Sequence, residues 1–416
     1  RFALFFKFLV LGIVALVVMA SVDYIKRIEQ HQGEFYALIL LASAGMMLLA
    51  ATRELISIYV ALEMTALPLA ALAAFLRDSR STEAGLKFLI LSAISSGILL
   101  YGMTLVYGFT GTTYLSEIAS VISRPEAGAP PFGSYALLLG IVLIVAGFGF
   151  KIASVPFQMW VPDVYEGAPT PVTAYLSVAS KGAGFAVLLR VFYTAFPEVS
   201  INWETLFAGL AVASMFIGNL VAIAQSNIKR LLAYSSIAHA GYILMATVTL
   251  GQSRVLVDAT AAALFYLFAY LLTNFGAWAV VVLLEQEEGK GLNLQDYAGL
   301  GKKQPALAAA MTVFMLSLIG VPPTLGFLGK FYLFRAVLEG GFVGLAVIGV
   351  LTSLISAYYY LRVVIVMYMQ EGEPLVNRDA LVRWTAAGTA IAVVALSLFA
   401  TPLFQWATQA TLFAAK

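Results

Sequence analysis

The chain has 416 residues, 61% of them hydrophobic and only 11% charged, where a soluble globular domain carries about a quarter charged residues. That balance excludes a water-soluble enzyme, and a net charge of +2 with no basic run gives no sign of a nucleic-acid partner. There are no cysteines, which excludes disulfides, thiolate metal sites and cysteine nucleophiles.

At about 20 apolar residues per crossing, the hydrophobic runs predict an all-α polytopic membrane protein of twelve segments. The first six are Phe2 to Val22, Phe35 to Ala51, Leu55 to Phe75, Ala84 to Phe109, Ser134 to Ser154 with a short continuation, and Pro171 to Phe196. The other six are Trp203 to Gln225, Leu231 to Leu250, Leu256 to Leu284, Ala306 to Leu338 with a break, Phe342 to Met369, and Arg383 to about Phe413. The runs are too long, and lack the alternation, for an outer-membrane barrel.

Loop charge sets the expected orientation. Loops after odd segments carry Lys26, Arg27, Arg77, Arg80, Lys229, Arg230, Lys290, Lys302, Lys303, Arg378 and Arg383. Those after even segments carry only Arg53, Arg124, Arg254 and Arg335, a bias of eleven to four that puts the odd loops in the cytoplasm and both termini outside.

Two segments contain helix breaks. In GFGFKIASVPFQMWVPDVYEGAPTP the helix is expected to stop around Ser154 to Pro156 and to resume briefly before a turn at Pro162. In LSLIGVPPTLGFLGKFYLF, Pro322 and Pro323 interrupt the tenth segment. The broken segments lie five apart, an odd number, so residues 35–196 and 203–369 are expected to form two inverted five-helix repeats in one domain, flanked by helices 2–22 and 383–413. That is a transporter architecture, with ionisable groups near the midplane. Broken backbone at membrane depth survives only where protein or water faces it.

Intramembrane charges are few and therefore informative. Glu63 sits mid-segment with Pro68 five residues on, and Lys151 is its candidate partner, a pair able to switch charge when a proton arrives. Lys181 lies too deep in its helix to snorkel, and Lys330 follows the second break as Lys151 precedes the first. The competing view is a set of static pairs that fix helix packing. For His239 a structural hydrogen bond stands beside a proton relay, and Lys87, just after Glu83, suits an interfacial anchor. Arg190, Arg335 and Arg362 suit snorkelling or loop binding, Lys229 and Arg230 suit positive-inside anchors, and the Tyr and Trp residues suit belt and core packing. No P-loop, dinucleotide fingerprint, haem ligand pair or metal cluster appears, so the chain is expected to bind no cofactor.

GFGFKIASVPFQMWVPDVYEGAPTPVTAYLSVASKGAGF resembles the signature region of subunit N of proton-pumping NADH:quinone oxidoreductase, respiratory complex I. ELISIYVALEMTALPLAAL, NIKRLLAYSSIAHAGY, LSLIGVPPTLGFLGKFYLF and SAYYYLRV resemble further motifs of the same family, which extends to subunits L and M and to Mrp-type cation/proton antiporters. PDVYEGAPTP resembles N more than those relatives, and with the sequence ending soon after segment twelve the long lateral helix of subunit L is not expected. The resemblance implies a proton path in which Glu63 switches charge, Lys151 partners it, Lys181 is the central lysine and Lys330 leads to the outer side, with Lys87 and His239 as secondary positions. It implies NADH, FMN, iron–sulfur clusters and quinone in other subunits, and as partners the lipid bilayer, subunit M and small subunits such as K. It also implies residence in the bacterial inner membrane. Bacterial members have fourteen segments, so a chain starting at Arg1 is expected to begin where the third would lie. An Mrp-type antiporter subunit and a purely structural membrane anchor are the alternatives.

Overall fold

The computed structural model describes residues 1–28, 30–123, 135–196, 203–251, 254–286 and 290–412. Arg124, Ser134 and Phe413 lie outside them. Among the described residues there is no strand, only the isolated bridges Glu54 to Tyr114 and Asn227 to Asn293.

The described residues form eighteen α-helices. The first half holds α1 (Phe2–Ser21), α2 (Gln32–Ala51), α3 (Leu55–Ala73), α4 (Ser79–Thr110), α5 (Leu115–Ile122), α6 (Tyr135–Ile152), α7 (Trp160–Gly167), α8 (Thr170–Tyr175) and α9 (Lys181–Ala195). The second half holds α10 (Trp203–Ile223), α11 (Ile228–Leu244), α12 (Leu256–Leu284), α13 (Leu300–Lys303), α14 (Pro305–Ile319), α15 (Leu325–Glu339), α16 (Val343–Met369), α17 (Ala380–Ala395) and α18 (Ala400–Gln409). Among the described residues eleven spans are long and apolar enough to cross a membrane, and α14 with α15 makes a twelfth segment. The short helix α5 lies between the fourth and fifth expected segments and is too short to cross a membrane.

Capping chemistry fixes the ends. Glu54, Asp78, Asn227 and Asp379 accept hydrogen bonds from the first free amides of α3, α4, α11 and α17. Because Asp78 caps α4, that helix starts five residues before the expected Ala84.

The alternation of loops is visible in contacts. Arg27 donates to the Glu285 carbonyl, Leu294 N to Ser226 O, Asn227 to Glu166, and Gln286 to Leu375 O, so loops after the first, fifth, seventh, ninth and eleventh segments meet on one face. On the other face Leu55 N donates to Thr113 O and Leu115 N to Arg53 O.

The centre belongs to the spans Thr170–Ala195, Ile228–Thr249 and Leu256–Leu284, which are 100, 94 and 89% buried, whereas Ser79–Thr110 is 28% buried and lies at the periphery. Small residues bring helices close where lipid offers no hydrophobic drive. At Gly218 of α10 an added Cβ would stand 2.6 Å from the Ala238 amide of α11, and at Gly102 of α4 it would stand 2.7 Å from the Gly140 carbonyl of α6.

Candidate functional site

The first break separates α6 from α7 over residues 153–159 and includes Pro156. Its freed groups are met by protein: Val155 N donates to Ser214 Oγ at 2.9 Å, Trp160 Nε1 to Phe150 O at 3.1 Å, and Ser154 Oγ to Gly149 O at 3.3 Å. The expected turn at Pro162 is corrected. Pro162 lies in the first turn of α7, where its missing N–H would have been unsatisfied in any case.

Lys151 closes α6 and is buried, with no hydrogen-bond partner for Nζ. Its stem fits because Gly184 of α9 has no side chain: a Cβ there would stand 3.2 Å from Lys151 Cγ. A cavity of about 20 Å³, enough for one water, touches Lys151 together with Ser92, Ser95 and Ser96 of α4. Glu63 on α3 is the charged neighbour of Lys151, but the two form no ion pair within 4 Å, and Glu63 Oε1 is buried without a partner. The pair is open.

Lys181 opens α9 directly after a π-helical turn, Leu176–Ser180, that nothing in the residue pattern announced. Its ammonium donates to the Ser236 carbonyl of α11. Around Ser236 lie the hydroxyls of Tyr165 and Tyr270. One helical turn along α11, His239 binds Tyr266 through Nδ1 at 2.5 Å and Tyr360 through Nε2 at 3.1 Å, and Tyr360 in turn contacts Ser235. His239 stands between the charges of Lys181 and Lys330.

At the second break α14 ends on Gly320, whose φ of +93° suits only glycine, and Thr324 caps α15 beyond Pro322 and Pro323. Lys330 folds back across the gap. Its Nζ donates to Leu318 O and Ile319 O at 2.9 Å each and to Ser353 Oγ at 2.7 Å, and lies 4.5 Å from the Tyr242 ring centroid. A cation thus caps the last carbonyls of α14. The two break lysines differ: Lys330 has three acceptors and Lys151 none.

Lys87 is bound outside this row, 2.8 Å from both Glu83 and Asp163, with its side chain 41% exposed. Arg230 lies at the face where the odd loops meet and joins Asp163 at 3.0 Å and Glu166 at 2.7 Å. Lys229 is corrected: it is 1% exposed and faces Glu285. Arg190 does not snorkel. It is buried, and donates to Ala50 O at 2.7 Å, at the end of α2. Arg362 binds Ile223 O at the end of α10 and Gln225 O in the loop beyond it, and Arg335 pairs with Glu339. Tyr266 and Tyr360 hold His239, Tyr165 and Tyr270 lie near Ser236, and the Tyr242 ring meets Lys330, where their spacing in sequence suggested only belt and core.

Residues 52–356 match the family model for NADH:quinone oxidoreductase and Mrp antiporter transmembrane subunits. Subunit N of NADH-quinone oxidoreductase from Trichlorobacter lovleyi is 49% identical over 90% of this chain and 75% of its own length. The chain belongs to the subunit N family. Among solved structures, a chain of respiratory complex I from Thermus thermophilus, solved with aureothin bound, superposes with a TM-score of 0.81 at 37% identity, over 97% of this chain and 85% of that one. A chain of the Mrp complex from Dietzia superposes equally well, at 0.81, over 98% and 83%, but at 20% identity that likeness shows the fold alone. Subunit N family membership therefore rests on sequence, and the antiporter-like fold on both. Among the described residues no group of three His, Asp or Glu side chains could hold a metal ion.

Proposed function

We propose that the chain is a proton-translocating subunit of the membrane arm of NADH-quinone oxidoreductase, in which Glu63, Lys151, Lys181 and Lys330 carry the proton and His239 and Lys87 flank the path. The observation that carries this is a row of buried ionisable groups set at two helix breaks and one π turn inside an apolar bundle. Such groups are costly in a membrane, and gather along proton and ion paths.

The geometry supplies a way for the parts to act on each other. The Lys151 stem packs on Gly184, one turn along α9 from Lys181. An unpaired ammonium there opposes a second positive charge nearby, and closing it onto Glu63 removes that opposition. Opening and closing one pair therefore changes whether the next lysine holds its proton. Ser236, His239, Tyr266 and Tyr360 supply hydroxyl and imidazole groups between Lys181 and Lys330. Quinone, NADH, FMN and iron–sulfur clusters belong, in this proposal, to other subunits of the complex, and this chain contacts subunit M and small subunits such as K. The odd loops face the cytoplasm, and residues 35–196 and 203–369 are the two repeats.

The test is Lys181→Met and Glu63→Gln in the intact complex, with NADH:quinone turnover and vesicle acidification measured together. Both are expected to fall. Normal turnover with normal acidification in both variants refutes the proposal.

A further inference from the structure

A buried ion pair lies outside that row, one layer below the face where the odd loops meet. Lys229, in the first turn of α11, and Glu285, which ends α12, face each other with Nζ 3.6 Å from Oε1, and their side chains are 2 and 8% exposed. Burying two charges costs several kcal/mol per ion and is repaid only by close, saturated hydrogen bonding. Here that saturation is incomplete. Lys229 gives its 2.8 Å hydrogen bond to the Ala168 carbonyl, and although the Tyr24 hydroxyl reaches the carboxylate, Glu285 Oε2 accepts none. A buried carboxylate oxygen without a donor makes the pair an incomplete structural staple.

Its surroundings connect it in both directions. Toward the odd-loop face Arg27, itself exposed, donates to the Glu285 main-chain carbonyl at 3.1 Å, so bulk water is one side chain away. The Tyr24 hydroxyl stands beside the carboxylate, Tyr297 presents a buried hydroxyl with no partner, and Arg80, Glu166 and Asp296 supply the remaining nearby charges. On the inner side the Ala168 carbonyl that holds Lys229 also accepts from Thr173, which donates to Tyr165 O at 3.1 Å. The Tyr165 hydroxyl lies against Ser236, whose carbonyl holds Lys181. Thr170 Oγ1, in the first turn of α8, is buried without a partner along the same stretch. The hydroxyls of Thr170, Thr173 and Tyr165 all belong to this run of contacts.

We propose that Glu285 and Lys229 form the proton-loading pair of this subunit. The Glu285 carboxylate takes a proton from water at the loop face and becomes neutral, Lys229 stays on Ala168 O, and the proton passes by Thr170, Thr173 and Tyr165 to the neutral amine of Lys181. Glu285 returns to a carboxylate that Lys229 again faces, and no other bond changes. This rests on Lys181 being the proton carrier of the proposed function.

The test uses the assembled complex in vesicles, with Glu285→Gln, Glu285→Asp and Lys181→Met measured side by side over pH 6 to 8. For Glu285→Gln, acidification per assembled complex should fall at least tenfold, a positioned proton-transfer group contributing about 10² or more. What remains should rise as the pH is lowered, because water then supplies the proton directly, and Glu285→Asp should recover part of the rate with the original pH profile. A role in folding alone would lower the amount of complex and leave rate and profile per complex unchanged. Where Glu285→Gln fails to assemble, the neutral pair Lys229→Met with Glu285→Gln replaces it, and leaves no unpaired charge. Wild-type acidification in either variant, or failure of both to assemble, overturns the proposal. If Lys181→Met is impaired while Glu285→Gln is normal, only the loading pair fails. If both are normal, the proposed function fails with it.

Discussion

The unequal bonding of the two break lysines gives a prediction that separates structure from transport. Lys330→Met removes a cation that holds Leu318 O, Ile319 O and Ser353 Oγ and rests on the Tyr242 ring. Leu318 O is left unpaired at about 1 kcal/mol or more, while Ile319 O keeps the hydrogen bond from Ser353 Oγ, and a desolvated cation–π contact worth about 1 to 2 kcal/mol goes too. The loss is about 2 to 3 kcal/mol. Unfolding entropy of about 2 cal/mol/K per residue makes this roughly a 3 °C fall for a chain of this length. Lys151→Met removes a buried ammonium that makes no hydrogen bond, so its stability should be unchanged or slightly raised. The assay heats the detergent-solubilised complex and follows retention of this subunit, with acidification measured on the unheated sample. Both variants should lose transport, and only Lys330→Met should lose stability. Equal thermal loss in the two would refute the claim that the breaks are held differently.

Two further outcomes follow from packing and charge. Gly218→Val places its Cβ 2.6 Å from the Ala238 amide, a backbone atom that cannot turn aside, so α10 and α11 should separate and the assembled subunit should vanish from native gels, while Gly97→Val, which meets nothing within 4 Å, should assemble normally. Asp163→Asn breaks the contacts to Lys87 and Arg230, all partly exposed, so stability should fall by about 1 kcal/mol or less, with the difference shrinking in high salt in thermal-shift measurements.

The backbone course was largely legible from the residues. Apolar runs fixed the spans, and Pro156, Pro322 and Pro323 fixed the breaks, because their cost is local and the lengths are set by the bilayer. Glu63, Lys151, Lys181 and Lys330 stood out for the same reason, each being expensive where it sits. What remained hidden depends on side chains meeting across the bundle. Lys229 sits at the end of a span, where sequence shows only its distance from the lipid. Its burial comes from Glu285, some 56 positions later by their numbering, and from the Ala168 carbonyl on a third element. Arg190 was misjudged for a similar reason: its acceptor, Ala50 O, belongs to a helix 140 residues away. The tyrosines carry no mark that separates a packing ring from one whose hydroxyl reaches His239.

The turn Leu176–Ser180 bears on all of this in a different way. A π turn takes up one residue more than an α turn, the equivalent of a single insertion accommodated without unwinding the helix. Each residue advances an α-helix by about 100°. The helical face ahead of the turn, with Thr173 and Tyr175, is therefore phased against the face that begins at Lys181 by that amount, and one segment addresses two sides of the bundle: Tyr175 reaches Ser43 and Ile39 on α2, while Lys181 reaches Ser236 on α11. A one-residue deletion at this turn would restore an unbroken helix and turn the lysine away from its acceptor.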